Sequence, residues 1–98
     1  MEQWFKPTVY ILTNFERTVF YIGVTSNLYT RMLMHRAGKG SKFAARYRLF
    51  YLVYYEECDS MTQAIEREKQ LKGWHRQWKV DLIRSVNPDM KDLSDTLY

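Results

Sequence analysis

The stretch Thr8–His35, with the sequence TVYILTNFERTVFYIGVTSNLYTRMLMH, holds the pattern from which the rest of the chain can be interpreted. Two runs in it, Val9–Leu12 and Val19–Val24, are rich in β-branched and aromatic residues, which favour strands. Polar residues separate the two runs, so they predict an antiparallel hairpin. The segment Asn27–His35 then shows the apolar spacing of a helix. The stretch is therefore interpreted as a strand–strand–helix unit.

The register of this hairpin decides which side chains meet. If Asn14–Arg17 form a four-residue loop, Tyr10 and Tyr21 face each other across the two strands. A slip of one residue would move every side chain to the opposite face, so the apolar alternation supports this register. Gly23 lies beside the two phenols and would let another group approach closely. The predicted faces consist of Val9, Ile11, Phe20 and Ile22 on one side and of Tyr10, Leu12, Val19 and Tyr21 on the other.

The predicted helix brings charged groups to the two tyrosines. Arg31 and His35 are four residues apart and share one helical face. Leu28 and Met32 form a neighbouring apolar stripe that can pack against the sheet. The candidates for the helix N-cap are Thr25, Ser26 and Asn27.

The composition predicts one domain with a modest core, because 46% of the 98 residues are hydrophobic. No run of about eighteen apolar residues is present, which argues against a membrane span, and the charged N-terminus is unlike a signal peptide. The single cysteine, Cys58, has no disulfide partner and no metal-ligand spacing. These features predict a soluble, reduced, cytoplasmic protein. We expect a domain over residues 1–93, with Trp4 and Phe5 packed on its edge, and a tail over residues 94–98.

Basic residues are concentrated in one part of the chain, although the formal net charge is only +4. Between Arg17 and Tyr55 there is no Asp or Glu. Such an unopposed basic segment suits a polyanion such as nucleic acid, and the alternative is a solvated surface without a partner. Its glycine-containing loop is followed by Lys42–Arg48, a predicted short helical turn with Phe43 and Tyr47 on one side. The candidates for phosphate contacts are Arg36, Lys39, Lys42 and Arg46.

The second half of the chain predicts one strand and two helices. The run Leu49–Glu57 is almost continuously apolar or aromatic, which predicts a strand buried on both faces at the centre of the sheet. Ser60 and Gln63 form a capping-box pattern that opens a helix. A further helix is expected over about His75–Ser85. The polar segment Asp89–Tyr98 predicts a partly ordered tail.

One acidic residue interrupts the apolar stripe of the helix that Ser60 opens. Glu68 lies three residues after Ile65 and seven after Met61, on the stripe, whereas Glu66 lies on its flank. A carboxylate on a packed face is costly unless a cation, a hydrogen bond or a metal compensates it. The two interpretations are an ion pair, with Arg31 or a lysine, and a metal ligand.

Together these motifs resemble the GIY-YIG nuclease family, and in particular its small, stand-alone bacterial members. The resemblance extends from about Val9 to Leu93, although Thr8 stands where the family name has its first glycine. It is carried by Thr8-Val9-Tyr10, Tyr21-Ile22-Gly23, Arg31, His35, Leu52-Val53-Tyr54-Tyr55-Glu56-Glu57, Arg67-Glu68-Lys69-Gln70-Leu71-Lys72-Gly73-Trp74 and Asn87-Pro88.

The resemblance implies an endonuclease that hydrolyses DNA phosphodiester bonds, with DNA repair or recombination as its setting. It implies a divalent metal, Mg²⁺ or Mn²⁺, held by Glu68, and no small-molecule cofactor. It also implies that Tyr10 helps to activate water and that Tyr21 positions the phosphate or shares that role. The expected partner is DNA, with no membrane, and the expected state is a monomer or weak homodimer.

The roles of four further sets of candidate residues follow from their chemistry and from the resemblance; the role of Arg31 has one interpretation, and the other three have two each. Arg31 suits the developing phosphate charge, because a guanidinium donates in two directions and stays charged. His35 is either a proton-transfer group or phosphate donor, or a helix-end cap. Asn87 matches a site asparagine of many relatives, or it is a helix cap or turn residue. Some relatives have one additional Lys or His in the site between the first helix and the third strand, and either Lys42 or Arg46 could correspond to it.

The fold class that we predict is α/β, a small three-stranded, mainly antiparallel sheet flanked by helices. The function that we predict is metal-dependent DNA cleavage. The alternative is a nucleic-acid-binding module of the same fold with little or no catalytic activity. A weaker third interpretation is an adaptor protein that binds a partner through its aromatic surface.

Overall fold

The structure is a computed structural model that describes residues 5–97. The predicted fold class is confirmed, because three antiparallel strands form one sheet flanked by helices. Within residues 5–97, no helix has the length and apolar character needed to cross a membrane. The elements are β1 (Thr8–Thr13), β2 (Phe20–Thr25), α1 (Leu28–Arg36), α2 (Lys42–Arg46), β3 (Tyr51–Glu57), α3 (Met61–Lys72), α4 (Arg76–Val86) and a 3₁₀ helix (Leu93–Leu97).

The strand order in the sheet is β2-β1-β3, so the first strand, not the third, is central. The prediction that β3 is central is therefore wrong. The apolar run of β3 is explained by a β-bulge. Ile11 pairs with Tyr54 and Leu12 with Leu52, which leaves Val53 as the extra residue. Helices on both faces of the sheet then bury these three consecutive β3 residues although the strand lies at the edge.

The hairpin register differs from the prediction by two residues, since Tyr10 pairs with Gly23 rather than with Tyr21. The loop between the strands spans residues 14–19. Asn14 accounts for its length, because its side-chain oxygen accepts hydrogen bonds from the backbone N–H groups of Thr18 at 2.8 Å and Val19 at 3.1 Å. A shift of two residues keeps every side chain on its face, so the predicted faces are confirmed.

The two faces of the sheet support separate apolar layers. One layer joins the Val9 and Ile11 side of β1 to α3 and α4 through Ala64, Leu71 and Ile83. The other joins the Tyr10 and Leu12 side to α1, α2 and the chain end, and its further members are Leu28, Met32, Ala44, Leu49, Leu52 and Leu97. The helix that carries Arg31 and the helix that carries Glu68 therefore lie on opposite faces.

The helix starts agree with the sequence in two cases. Asn27 caps α1, with its side chain accepting from the Thr30 N–H at 3.0 Å. Ser60 caps α3 in the same way, accepting from the Gln63 N–H at 3.1 Å. Ile65, however, is 38% exposed, so it does not belong to the buried stripe of α3.

The segment after α4 packs against the domain instead of forming a tail. Ser94 and Leu97 are buried, and the Asp92 side chain accepts a hydrogen bond from the Leu52 N–H at 3.1 Å. At the other end, the expected packing of Phe5 is not observed, since this side chain is 64% exposed. The expectations for Trp4 and for the last tail residue, Tyr98, lie outside the described residues.

Candidate active site

Tyr10 lies at the centre of the candidate site and is almost fully buried, with 1% exposure. Its ring leans across β2 over Gly23, where an added Cβ would come within 2.5 Å of the ring carbon Cζ and of the hydroxyl oxygen. The close approach expected at Gly23 is therefore made by Tyr10 itself. The Tyr10 hydroxyl forms a 2.9 Å hydrogen bond with Nε2 of His35 on α1.

Tyr21 lies on the same sheet face, diagonally across the strand pair from Tyr10. The two ring centroids are 6.3 Å apart, and the Tyr21 ring lies 5.8 Å from that of His35. In contrast to Tyr10, Tyr21 is partly exposed, and it stacks on Phe43 of α2 at 6.3 Å. Tyr21 is thus the phenol of this pair that solvent can reach.

His35 is buried inside α1 and does not act as a cap at the helix end. Its exposure is 1%, and its Nδ1 is the one buried side-chain N or O within residues 5–97 that has no hydrogen-bond partner. The backbone of Gly40 closes over the imidazole, since a Cβ there would lie 2.5 Å from Nδ1 and 2.7 Å from Cε1. The glycine in this loop is therefore required for close packing, a role that the sequence pattern did not show.

Burial shifts the pKa values of the two hydrogen-bonded groups in opposite senses. Desolvation raises the pKa of Tyr10 far above the ordinary phenol value. The electrostatic effect of the neighbouring Tyr21 is the second cause, and the charge of Glu68 raises this pKa further. Arg31 acts against it. Desolvation and the positive charge of Arg31 lower the pKa of His35 below its ordinary value. The buried pair is therefore a neutral phenol and a neutral imidazole at pH 7.

Glu68 reaches the site region from the opposite side of the sheet. It lies on α3, which packs on the face opposite to Tyr10, yet its charge acts on the Tyr10 phenol. Its side chain is 17% exposed, and Lys72 lies 3.4 Å away on the same helix. The observed ion-pair partner is thus a lysine, and that lysine side chain is 55% exposed. An exposed i,i+4 pair of this kind contributes little stability.

The described residues offer no dense metal site. No group of three or more His, Cys, Asp or Glu side chains that could hold a metal ion occurs within residues 5–97. Glu68 alone supplies a largely buried carboxylate in the site region. A single carboxylate fits Mg²⁺, which commonly keeps several waters and takes substrate oxygens as further ligands.

Asn87 has a structural position at the end of α4. Its amide nitrogen donates to the carbonyls of Val53 and Lys91, both at 2.9 Å, and its oxygen accepts from the Lys91 N–H at 3.0 Å. The side chain is thus occupied by backbone groups. Of the two interpretations left open, the observed geometry matches the helix cap and turn residue.

The candidate phosphate-binding residues separate into two groups. Arg36 contacts Asp92 at 2.8 Å and also the Ser94 hydroxyl, so its guanidinium is engaged within the domain. The other three are exposed and line a shallow depression near the N-terminus of α2, together with Gly38, Gly40, Ser41 and Ala45; they are Lys39, Lys42 and Arg46. Phe43 and Tyr47 lie on one side of the short helical segment, as predicted, with ring centroids 4.8 Å apart.

The model of the GIY-YIG catalytic domain matches residues 6–81 of the chain. The chain belongs to the GIY-YIG family. Members of this nuclease family that resemble it include the UPF0213 protein SH2523 of Staphylococcus haemolyticus, 37% identical over 80% of this chain and 94% of that protein. A UPF0213 protein of Syntrophus aciditrophicus is 38% identical over 86% of this chain and 95% of its own length.

A solved structure extends the GIY-YIG match to the fold. The solution NMR structure of the UPF0213 protein BH0048 from Bacillus halodurans superimposes with a TM-score of 0.57 at 26% identity. The match covers 89% of this chain and 92% of that chain. The family resemblance found in the sequence is thereby confirmed.

Proposed function

We propose that this GIY-YIG protein is a divalent-metal-dependent endonuclease that hydrolyses phosphodiester bonds of DNA. The observation that supports this most is the meeting of Tyr10, Tyr21 and His35 on one sheet face. Their ring centroids lie within 6.3 Å of one another, and Arg31 and Glu68 both act electrostatically on the Tyr10 phenol. The proposed site thus draws on both faces of the sheet.

The two phenols have different roles in this proposal. Tyr10 is buried, hydrogen-bonded and resistant to ionisation, so we assign it to positioning rather than to direct contact with water. Tyr21 is partly exposed and meets the substrate. Arg31, on the face of α1 that carries His35, holds the non-bridging phosphate oxygens, because a guanidinium can donate to two of them at once.

The donor and acceptor in the hydrogen bond between His35 and Tyr10 follow from the Nδ1 of His35, which has no partner. A neutral imidazole has one N–H, and a buried N–H without a partner is rarer than an unpaired acceptor. The proton therefore belongs on Nε2, and His35 donates to the Tyr10 oxygen. The Tyr10 O–H is then available to donate to the neighbouring Tyr21 oxygen.

In the proposed reaction, a water molecule attacks the phosphorus opposite the leaving oxygen. As the new P–O bond forms, the Tyr21 oxygen accepts a proton from that water, and the phenolic proton of Tyr21 passes to the solvent. The bond to the leaving oxygen breaks, and that oxygen takes a proton from solvent. Arg31 neutralises the charge that accumulates on the non-bridging oxygens during this step.

Glu68 is the residue that would hold the divalent metal. A bound Mg²⁺ or Mn²⁺ supplies Lewis-acid stabilisation of the phosphate and leaving-group charge. The carboxylate is suited to this, because it is largely buried and its partner Lys72 is an exposed cation that a metal can replace.

The remaining predicted residues support the substrate or the scaffold. Lys39, Lys42 and Arg46 bind backbone phosphates of the DNA at the exposed end of α2. Asn87 and Arg36 act as positioning residues, since the side chain of each is bonded to other parts of the domain.

Substitution of Glu68 tests the proposed function. Glu68→Ala should abolish Mg²⁺-dependent cleavage of plasmid and branched DNA, while it changes the free energy of unfolding by less than about 1 kcal/mol, because its ion-pair partner Lys72 is exposed and returns to solvent. Cleavage assays and urea denaturation measure the two effects. Glu66→Ala is the matched control on the same helix and should keep activity, since Glu66 is exposed.

Two outcomes would reject this assignment. Equal cleavage by the wild type and Glu68→Ala would remove the metal ligand from the mechanism. Salt-sensitive DNA binding by the wild type, without cleavage in Mg²⁺ or Mn²⁺ on any DNA structure, would favour a binding module of the same fold.

A further inference from the structure

A second cationic and aromatic surface lies on the other face of the edge strand β2. From Lys69 to Val80 the chain has no Asp or Glu. We call the exposed and partly exposed aromatic and basic residues of this segment the α3–α4 surface; they are Lys69, Lys72, Trp74, Arg76, Trp78 and Lys79.

Trp78 is the central feature of the α3–α4 surface and is 53% exposed. Its ring lies 4.4 Å from that of His75 and 5.8 Å from that of Trp74, in edge-to-face contact with the latter. The apolar layer beneath contains Trp74 but not Trp78. Packing of the domain therefore does not require a tryptophan at this position.

Arginine side chains lie against aromatic rings in this surface and at its border. The Arg76 guanidinium lies 5.1 Å from the Phe20 ring, and the Arg67 guanidinium, which is ion-paired with Glu56 at 2.8 Å, lies 5.4 Å from the Trp74 ring. These cation–π contacts hold aromatic and positive groups side by side. Alternating rings and cations of this kind are the usual means by which proteins hold nucleic-acid strands.

The position of the α3–α4 surface relative to the candidate site is set by β2. Tyr21 faces α1 and α2, whereas Phe20, the preceding residue, faces the opposite side and contacts Arg76. Lys72 on this surface contacts Glu68. The site therefore lies between two basic surfaces, one around α2 and one on the turn between α3 and α4, separated by the edge of the sheet.

We propose that the α3–α4 surface binds the DNA on one side of the cleaved bond, so that the substrate crosses the edge of β2 and contacts both faces. This inference rests on the proposed function and adds a second contact region to it. Lys69, Arg76 and Lys79 bind phosphates, and Trp78 packs against bases or sugars of the same arm. The charge of the segment favours DNA over a protein partner, because no acidic residue interrupts it.

Trp78→Ala tests the aromatic contact. Without divalent metal, the variant should bind DNA about 5- to 100-fold more weakly than the wild type, the range expected for one lost stacking contact. Val86→Ala is the matched control, because Val86 is an exposed apolar residue on the same helix outside the basic segment. DNA shortened on one side of the cleaved bond should bind the wild type more weakly, with a smaller further loss in Trp78→Ala.

The double variant Lys69→Gln/Lys79→Gln tests the electrostatic contact. It should reduce the slope of log affinity against log salt concentration by about 2, and Lys91→Gln should leave it unchanged. Unchanged affinity in Trp78→Ala together with an unchanged slope in the double variant would overturn the inference. It would also be overturned if Trp78→Ala altered self-association of the protein but not DNA binding.

These results are separable from the test of the proposed function. A wild type that binds DNA through this surface but does not cleave it would refute the proposed nuclease function and would leave the proposed DNA binding by the α3–α4 surface intact. A wild type that cleaves, with the affinity of Trp78→Ala and the salt slope of the double variant both unchanged, would refute the contact region alone.

Discussion

Single residues in this protein gain their importance from burial. His35 is the clearest case, because a histidine at this helix position could have been a solvated cap. Burial and the nearby Arg31 instead lower its pKa and keep it neutral. Protonation would add an N–H at Nδ1, which faces the backbone of Gly40 without an acceptor. The folded state therefore resists protonation of this ring.

The first prediction at the residue scale concerns stability against pH. The pKa of His35 is lower in the folded than in the unfolded chain, so the unfolded state binds more protons at mildly acidic pH. The free energy of unfolding should fall as the pH drops below about 6.5, the unfolded value, and the loss should level off below the folded pKa. Each unit of pKa depression corresponds to about 1.4 kcal/mol.

Urea unfolding at several pH values measures this dependence. His35→Gln should remove the part of the slope that lies below pH ~6.5. His75→Gln is the matched control, because His75 is exposed and should leave the slope as it is. A slope that persists in full in His35→Gln would contradict the assignment of a neutral, buried imidazole.

At the scale of elements, the loop between α1 and α2 has both a packing role and a role in the proposed DNA binding. Gly40 covers His35, and Ser41 caps α2, where its side chain accepts from the Ala44 N–H at 3.4 Å. The loop thus leads directly from the buried pair to the exposed cations of α2. Any contact of these cations with DNA brings the phosphate backbone close to Tyr21, which stacks on Phe43 of the same helix.

The element-scale prediction concerns salt dependence. Replacing Lys39, Lys42 and Arg46 with Gln, one at a time, should each lower the slope of log affinity against log salt by about 0.9, because each removes one phosphate contact. Binding without divalent metal, measured over a range of salt concentrations, gives the slopes. Arg84→Gln on α4 is the control. Three unchanged slopes would exclude α2 from the DNA interface.

At the scale of the whole molecule, the segment after α4 connects the sheet to α1 through side-chain contacts. Asp92 accepts a hydrogen bond from the Leu52 N–H of the edge strand β3 and forms an ion pair with Arg36. Ser94 and Leu97 are buried behind it. The polar segment after Pro88 therefore contributes to the same core as Tyr10, and its contacts hold α1, the helix that carries Arg31 and His35.

Asp92→Ala tests how much the contacts of Asp92 with Leu52 and Arg36 contribute to stability. It should lower the free energy of unfolding by about 1–3 kcal/mol, because a buried N–H and a cation lose their acceptor. Asp95→Ala, at an exposed position of the 3₁₀ helix that follows Asp92, is the control and should change stability by less than about 0.5 kcal/mol. Thermal and urea unfolding measure both variants. An Asp92→Ala protein as stable as the wild type would show that the segment contributes no stability.

The sequence by itself determined the elements, the sheet faces and the family. Period-two alternation assigns Tyr10 and Tyr21 to one face whatever the exact loop length, because a shift of two residues preserves it. The caps at Asn27 and Ser60 were predictable, since a side-chain oxygen at the first helical turn satisfies a local N–H. The apolar stripe likewise singled out Glu68, although Ile65 proved to be exposed. Such signals are local and do not depend on the rest of the fold.

Only the tertiary structure decided the register, the strand order and the environment of each candidate residue. Asn14 extended the loop through its own hydrogen bonds, and a bulge with covering layers buried an edge strand. The burial of Tyr10 and His35, and the approach of Glu68 from the opposite face, result from contacts between residues far apart in the chain. Desolvation and charge proximity depend on three-dimensional packing, and no local pattern in the sequence encodes them.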